Sequence, residues 1–155
     1  MRTVEIMTRN DRPGALKGPE AGHGESRARR RLLVLLHDQA LGTEVVAPAF
    51  RSRGWEVHLA HLTEAALEDV KESTYDLVIM EINQPGPASF AFCDALRRYS
   101  RAPLLLIVSQ AARKDIVQGF RRGADAYVVE PVDLRELLVR AEALLRRAEG
   151  RVLRA

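Results

Sequence analysis

Residues 76–86 read DLVIMEINQPG, and this stretch decides the fold class. An apolar run of strand length, residues 77–80, ends in the acid Glu81, and turn-forming residues follow at once. Apolar strands without polar alternation are typical of a sheet that is buried on both faces. A carboxylate at the end of such a strand is a candidate reactive group, so Glu81 is the first residue of interest.

Four other segments have the length and apolar character of strands. Each is an apolar or alternating run that lies between turn-forming or helical sequence. Together with 76–80 they predict five strands: RLLVLL at 31–36, WEVHLA at 55–60, PLLLIVS at 103–109 and AYVVE at 126–130.

The segments between the strands repeat apolar residues at helical spacing. This periodicity predicts helices within 42–53, 64–72, 88–99, 112–122 and 134–145. Thr63 and Asp133 stand where N-caps are expected, and Gly54 and Gly123 where C-caps are expected. Five strand–helix units predict an α/β fold, with a parallel sheet covered by helices on both faces.

In such sheets ligands bind at the carboxyl ends of the strands. The candidate site therefore consists of the polar residues at those ends: His37, Asp38, Glu81, Ser109 and Glu130. His58 and His61 flank the second strand without an evident ligand partner, and we expect them at the surface.

Charge and composition divide the chain into three parts. Residues 1–30 hold seven of the 24 Lys/Arg and four of the 21 Asp/Glu residues, with few aliphatic side chains, so we expect a disordered basic N-terminal tail. Residues 31–148 form the expected domain, and 149–155 a short C-terminal tail with no output domain after it. One cysteine, no zinc-type spacing and no membrane-length apolar run predict a cytoplasmic protein that uses neither cofactor nor membrane.

The chain resembles the receiver domains of bacterial response regulators. DIVQGFRRGADAYVVEPVDLRELLVRAEALLRR, residues 115–147, is similar to the last two units of winged-helix (OmpR/PhoB) receivers, and 76–86 is similar to their phosphoacceptor strand and loop. The resemblance covers about residues 31–148. It implies a flavodoxin-like (βα)5 three-layer sandwich with strand order 2-1-3-4-5, and a cis peptide bond before Pro131.

The resemblance also implies a phosphorylation pocket, from which this chain departs. Such receivers place an acidic pair after strand 1 for Mg²⁺, an aspartate after strand 3 for the phosphoryl group, and a lysine after strand 5. Here these positions hold His37-Asp38, Glu81 and Glu130, while the switch pair is present as Ser109 and Tyr127. Histidine is a poor magnesium ligand, and Glu130 places negative charge where a cation is needed. We expect a degenerate pocket with no metal and no enzymatic activity.

With a degenerate pocket, the function that we expect of this chain is binding to another protein through its surface. The resemblance implies a homodimer or another protein partner on the face of helix 4, strand 5 and helix 5, and no nucleic-acid contact by the folded domain. Ala126 replaces an acid that is usual in the subfamily, which removes one ion pair of the usual dimer. The corresponding positions are Ile116, Phe120, Arg121, Asp125, Glu136 and Arg140.

Several alternatives stay open at this point. Glu81 is either a relic of the acceptor or a mimic of a phosphorylated aspartate, and the pocket is either inactive or an atypical phosphoacceptor. A metal other than magnesium at His37, Asp38 and Glu81 is a further possibility. A sensor that binds a small ligand is another alternative for the function. Residues 37–57 are similar to cobalamin-binding domains, although His37 and Gln39 stand where their Asp and His are required.

Overall fold

A computed structural model describes residues 29–37, 41–83 and 87–154. Its five strands form one parallel sheet in the order β2-β1-β3-β4-β5, which confirms the fold class. The strands are β1 (Arg31–Leu36), β2 (Glu56–His61), β3 (Leu77–Ile82), β4 (Leu104–Val108) and β5 (Ala126–Val129).

Helical segments follow all five strands. The first begins as a π-helical turn, Gly42–Val46, and continues as α1 (Ala47–Arg51); a 3-10 helix, Gln110–Asp115, likewise precedes α4. The remaining helices are α2 (Glu64–Glu72), α3 (Pro87–Tyr99), α4 (Ile116–Arg121) and α5 (Leu134–Arg154). No helix of the described residues is long and apolar enough to cross a membrane.

The sheet separates two apolar cores. In β1, Leu33 and Leu35 join the core on one face, whereas Leu32 and Val34 join the core on the other. Successive side chains of a strand point to opposite faces, so both sets must be apolar. This arrangement explains why the central strands lack polar alternation.

The predicted ends of the helices agree with the structure. The Thr63 hydroxyl accepts a hydrogen bond from Ala66 N, and Asp133 accepts one from Arg135 N at 2.9 Å. Gly54 and Gly123 have positive φ angles of 90° and 109°, which glycine adopts without strain. The Glu130–Pro131 peptide bond is cis, as expected.

One prediction is wrong. His58 is fully buried rather than at the surface, because it packs edge-to-face on Tyr75 and lies 2.8 Å from the Glu56 carboxylate. α5 extends to Arg154 and therefore includes most of the residues assigned to the short C-terminal tail, so the bounds of the domain stay a prediction. The N-terminal tail up to residue 28 and the candidate Asp38 lie outside the described residues.

Candidate functional site

Glu81 lies inside the protein rather than at an open strand end. It belongs to β3, and its exposed fraction is 0%. Its carboxylate accepts hydrogen bonds from two backbone N–H groups, His37 N at 3.1 Å and Gly42 N at 3.0 Å. Glu81 therefore ties β3 to both sides of the segment that follows β1.

Gly42 allows this close approach. A Cβ atom at residue 42 would lie 2.4 Å from Leu36 Cδ2 and 3.1 Å from Glu81 Oε2. The first distance is shorter than real Cβ contacts and the second is tighter than most of them, so a side chain at residue 42 would displace its neighbours. The glycine is thus a second component of the Glu81 site, and its signal in the sequence is a lone glycine six residues after β1.

Burial determines the titration of Glu81. Loss of hydration raises the pKa of this carboxyl, because the charged form loses more by leaving water. The two backbone N–H groups oppose this rise in pKa, and the negative charge of Glu130 adds to it. Burial is thus the largest cause of the raised pKa of Glu81, and the neighbouring carboxylate of Glu130 is a smaller one.

Glu130 follows β5 and is half-buried. Its backbone carbonyl accepts a hydrogen bond from Gln110 Nε2 at 2.8 Å. Four buried polar atoms at the carboxyl ends of the strands lack a hydrogen-bond partner within the described part of the chain: His37 Nδ1, Asn83 Oδ1, Asn83 Nδ2 and Glu130 Oε2. Buried polar atoms are usually paired, so these four atoms are exceptions among the described residues.

The residues described here do not fit a magnesium ion. Within 29–37, 41–83 and 87–154, no three His, Cys, Asp or Glu side chains are grouped to hold a metal. Each Glu81 oxygen already accepts a backbone N–H group, and Asp38, the carboxylate of the candidate pair after β1, lies outside the described residues.

Ser109 links two strand ends. Its hydroxyl donates to the Asn83 carbonyl at 2.7 Å and accepts from Ala112 N at 3.2 Å. It therefore caps the 3-10 helix that leads into α4. Both contacts are internal, so the hydroxyl acts as a structural cap in this conformation.

The second residue of the switch pair, Tyr127, is half-buried in β5. Its ring packs against the core and edge-to-face with Phe120, with centroids 5.6 Å apart. Phe120 is itself 42% exposed on α4. The structure thus connects Tyr127 to the surface of α4 through one aromatic contact.

The remaining residues of the expected partner face differ in their contacts. Arg121 is exposed and Ile116 packs against the core. Asp125 pairs with Arg97 at 3.1 Å and accepts from Leu104 N at 2.9 Å, so its carboxylate is used internally. Glu136 and Arg140 pair with each other at 3.0 Å on the surface of α5.

A cavity of about 820 Å³ lies at the opposite edge of the sheet from the expected ligand pocket. It is lined by segments that precede β1, β3 and β4 and by the end of α5, and Arg30, Tyr99 and Leu145 are among the lining residues. None of the candidate site residues lines it. The proposed sensor function at the strand ends gains no support from this cavity.

Comparisons with known proteins agree on one family. Residues 33–142 match the model of the response regulator receiver domain. The transcriptional activator protein PfeR of Pseudomonas aeruginosa is 38% identical over 117 residues, which are 76% of this chain and 38% of PfeR. The DNA-binding response regulator MtrA of Mycolicibacterium smegmatis is 33% identical over 78% of this chain and 53% of MtrA.

Solved structures show the same relationship. The receiver domain of the TMAO respiratory system response regulator TorR is 30% identical, with a TM-score of 0.65 over 76% of this chain and 98% of that domain. A CheY-like receiver domain protein of Methanospirillum hungatei superimposes with a TM-score of 0.69 at 20% identity, over 80% of this chain and 99% of that protein. This chain spans about half the length, or less, of the curated relatives it matches.

Proposed function

Because this chain belongs to the response regulator receiver domain family of two-component signalling, we propose that it signals by binding another protein, without phosphorylation of Glu81. Relatives that share its sequence are named as transcriptional regulators, so we place its pathway in the control of transcription. The binding surface is the face of α4, β5 and α5, used either for a homodimer or for another protein.

The buried Glu81 carboxylate carries this proposal. A phosphoacceptor must present an oxygen atom to an incoming donor in line with the bond that breaks. Glu81 is 0% exposed, and backbone N–H groups of His37 and Gly42 hold its two oxygens. Attack on a phosphoryl donor would require this part of the fold to open first.

The charge of Glu130 supports the same conclusion. A phosphoryl group is a dianion at neutral pH and needs nearby positive charge for its stabilisation. Glu130 raises the pKa of Glu81, so it acts on that carboxyl as a negative charge. The pocket would repel the group that a typical receiver binds.

Incubation of the full chain with acetyl phosphate and Mg²⁺, followed by intact-mass spectrometry, tests the proposal. We expect no addition of a phosphoryl group to the wild-type chain. The matched control is the triple variant His37→Asp, Glu81→Asp, Glu130→Lys, which restores the family's residues and should gain the modification. The receiver domain of TorR serves as the control for the reagents. Phosphorylation of the wild-type chain would contradict the proposal.

A further inference from the structure

The outer side of α4 combines apolar and positively charged side chains. Val117 and Phe120 are 60% and 42% exposed, which is unusual for large apolar residues so close together. They are three residues apart, so they lie on the same side of the helix. Exposed Arg113 and Lys114 lie in the 3-10 helix that leads into α4, and exposed Arg121 lies at the end of α4, four residues after Val117. These five residues form what we call the α4 patch.

The inner side of α4 explains why these residues remain outside. Gly119 is buried, and a Cβ atom at this position would lie 2.7 Å from Leu106 Cδ1. The helix therefore packs with its backbone close against β4. Val117 points away from that contact, and Phe120 touches the domain through the edge of Tyr127. Covering the two side chains would remove apolar surface from water, which is favourable.

Three acids around the patch are already paired with other arginines, and the fourth, Asp115, is half-buried and forms no ion pair in the described residues. Asp94 pairs with Arg122, Asp125 with Arg97, and Glu136 with Arg140. None of the ion pairs in the described residues uses Arg113, Lys114 or Arg121. The patch therefore presents three positive charges around two apolar side chains.

A second copy of this chain complements that surface poorly. A symmetric dimer brings the same patch of both subunits together, so positive charge would face positive charge. Carboxylates from the rest of the face would first have to leave Arg97 or Arg140. An acidic partner needs neither change, and apolar side chains on that partner would cover Val117 and Phe120.

From this charge pattern we infer that the α4 patch binds an acidic amphipathic segment of another protein. This inference rests on the proposed function and adds the class of the partner. Apolar residues of the segment cover Val117 and Phe120, and its carboxylates pair with Arg113, Lys114 and Arg121. The contact between Phe120 and Tyr127 makes the ring of Tyr127 a reporter of binding.

The probe is a synthetic helical peptide that carries leucines on one side and glutamates on the flanks. Its control has lysine in place of every glutamate. Amide NMR titration of the full chain should show saturable shifts at Val117, Phe120 and Tyr127 with the glutamate peptide only. The affinity should fall as salt is added. Equal binding of the lysine peptide would overturn the inference, as would no binding of either peptide both with and without acetyl phosphate and Mg²⁺.

Two variants locate the binding surface. Val117→Asp, or the double variant Lys114→Glu, Arg121→Glu, should weaken the glutamate peptide at least about tenfold. The control is Val45→Asp, which changes a valine that is 39% exposed in the π-helical turn before α1. This control should leave the affinity for the peptide unchanged. Unchanged affinity of both patch variants would overturn the inference, as would tighter binding of single-stranded DNA than of the peptide.

The same titration separates the inference from the proposed function. Binding that appears only after acetyl phosphate and Mg²⁺ are added would overturn the proposed function and retain the acidic partner. Absence of peptide binding in both conditions would overturn the inference of an acidic partner. The proposed function would then be tested separately, by the phosphorylation experiment on Glu81.

Discussion

The two edges of the sheet differ in how completely their polar groups are paired. At the edge where the strands begin, the five N–H groups of Arg97 make five contacts. At the edge where the strands end, polar atoms of His37, Asn83 and Glu130 are buried without partners in the described part of the chain. The family's phosphorylation chemistry belongs to the second edge.

Arg97 shows how such pairing links separate segments of the fold. Its guanidinium donates to the carbonyl oxygens of Ala102 at 2.6 Å and Gly123 at 2.7 Å, and pairs with Asp125 at 3.1 Å. It therefore joins the loop before β4 to the turn before β5. Arg31 makes a similar link between β1 and the segment before β3, because its guanidinium donates a hydrogen bond to the Thr74 carbonyl oxygen at 2.8 Å.

The contrast lies between a scaffold that the family shares and a pocket whose polar atoms are less completely paired among the described residues. Unpaired buried polar atoms cost free energy, and few are found in native proteins. Four of those found among the described residues lie where the family binds a phosphoryl group. At the same edge Glu81 has become part of the fold, because it accepts hydrogen bonds from the segment after β1.

The largest effect on stability should follow a change of Arg97, at the edge where the strands begin. Arg97→Met retains the aliphatic stem but removes five hydrogen bonds, so carbonyl groups of Ala102 and Gly123 lose their donor. We expect the free energy of unfolding to fall by about 3 kcal/mol. Urea unfolding followed by circular dichroism measures this change.

Arg98→Met is the matched control, because Arg98 is the exposed neighbour on the same helix. Its effect on the free energy of unfolding should stay within about 0.5 kcal/mol. If both variants lost the same stability, the hydrogen bonds of Arg97 would not be the cause and the contrast between the edges would fail.

A smaller, pH-dependent effect should follow a change at the Glu81 site. Because the folded state raises the pKa of Glu81 above its ordinary value of 4.5, the protonated carboxyl favours folding. That contribution is complete below pH 4.5 and is lost as the pH rises through the raised pKa. Each pH unit between the two pKa values is equivalent to about 1.4 kcal/mol.

Glu81→Gln removes this titration and serves as the reference. The stability of the wild-type chain relative to this variant should decrease as the pH rises from about 4 to about 8. Urea unfolding at several pH values gives the difference directly. A difference that increases over this range would show that the backbone N–H groups of His37 and Gly42 outweigh burial, and that the pKa of Glu81 is lowered.

The sequence predicts the architecture because each strand and helix leaves a local pattern. Apolar runs such as Leu32 to Leu36 and caps such as Thr63 depend on neighbours that are close in the chain. His58 was misplaced because its burial depends on Tyr75 and on Arg31, which lie far away in the sequence. The same is true of Arg97, whose partners include Gly123 and Asp125, 26 and 28 residues away.

The candidate site was predicted in position but not in geometry. Strand ends were enough to select Glu81, Ser109 and Glu130. The hydrogen bonds that hold Glu81 come from backbone N–H groups. Every residue except proline carries such a group, so no residue type in the sequence indicates these bonds. Gly42 was the one available signal, because a glycine is needed where the backbone approaches a buried carboxylate.

The central claim is that Glu81 is sealed within the fold and that the pocket no longer responds to a phosphoryl group. Amide NMR spectra of the full chain, recorded with and without beryllofluoride and Mg²⁺, test it most directly because beryllofluoride imitates a bound phosphoryl group. We predict that the resonances of Ser109 and Tyr127 remain in place. Saturable shifts that cluster at Ser109, Tyr127 and α4 would contradict the claim.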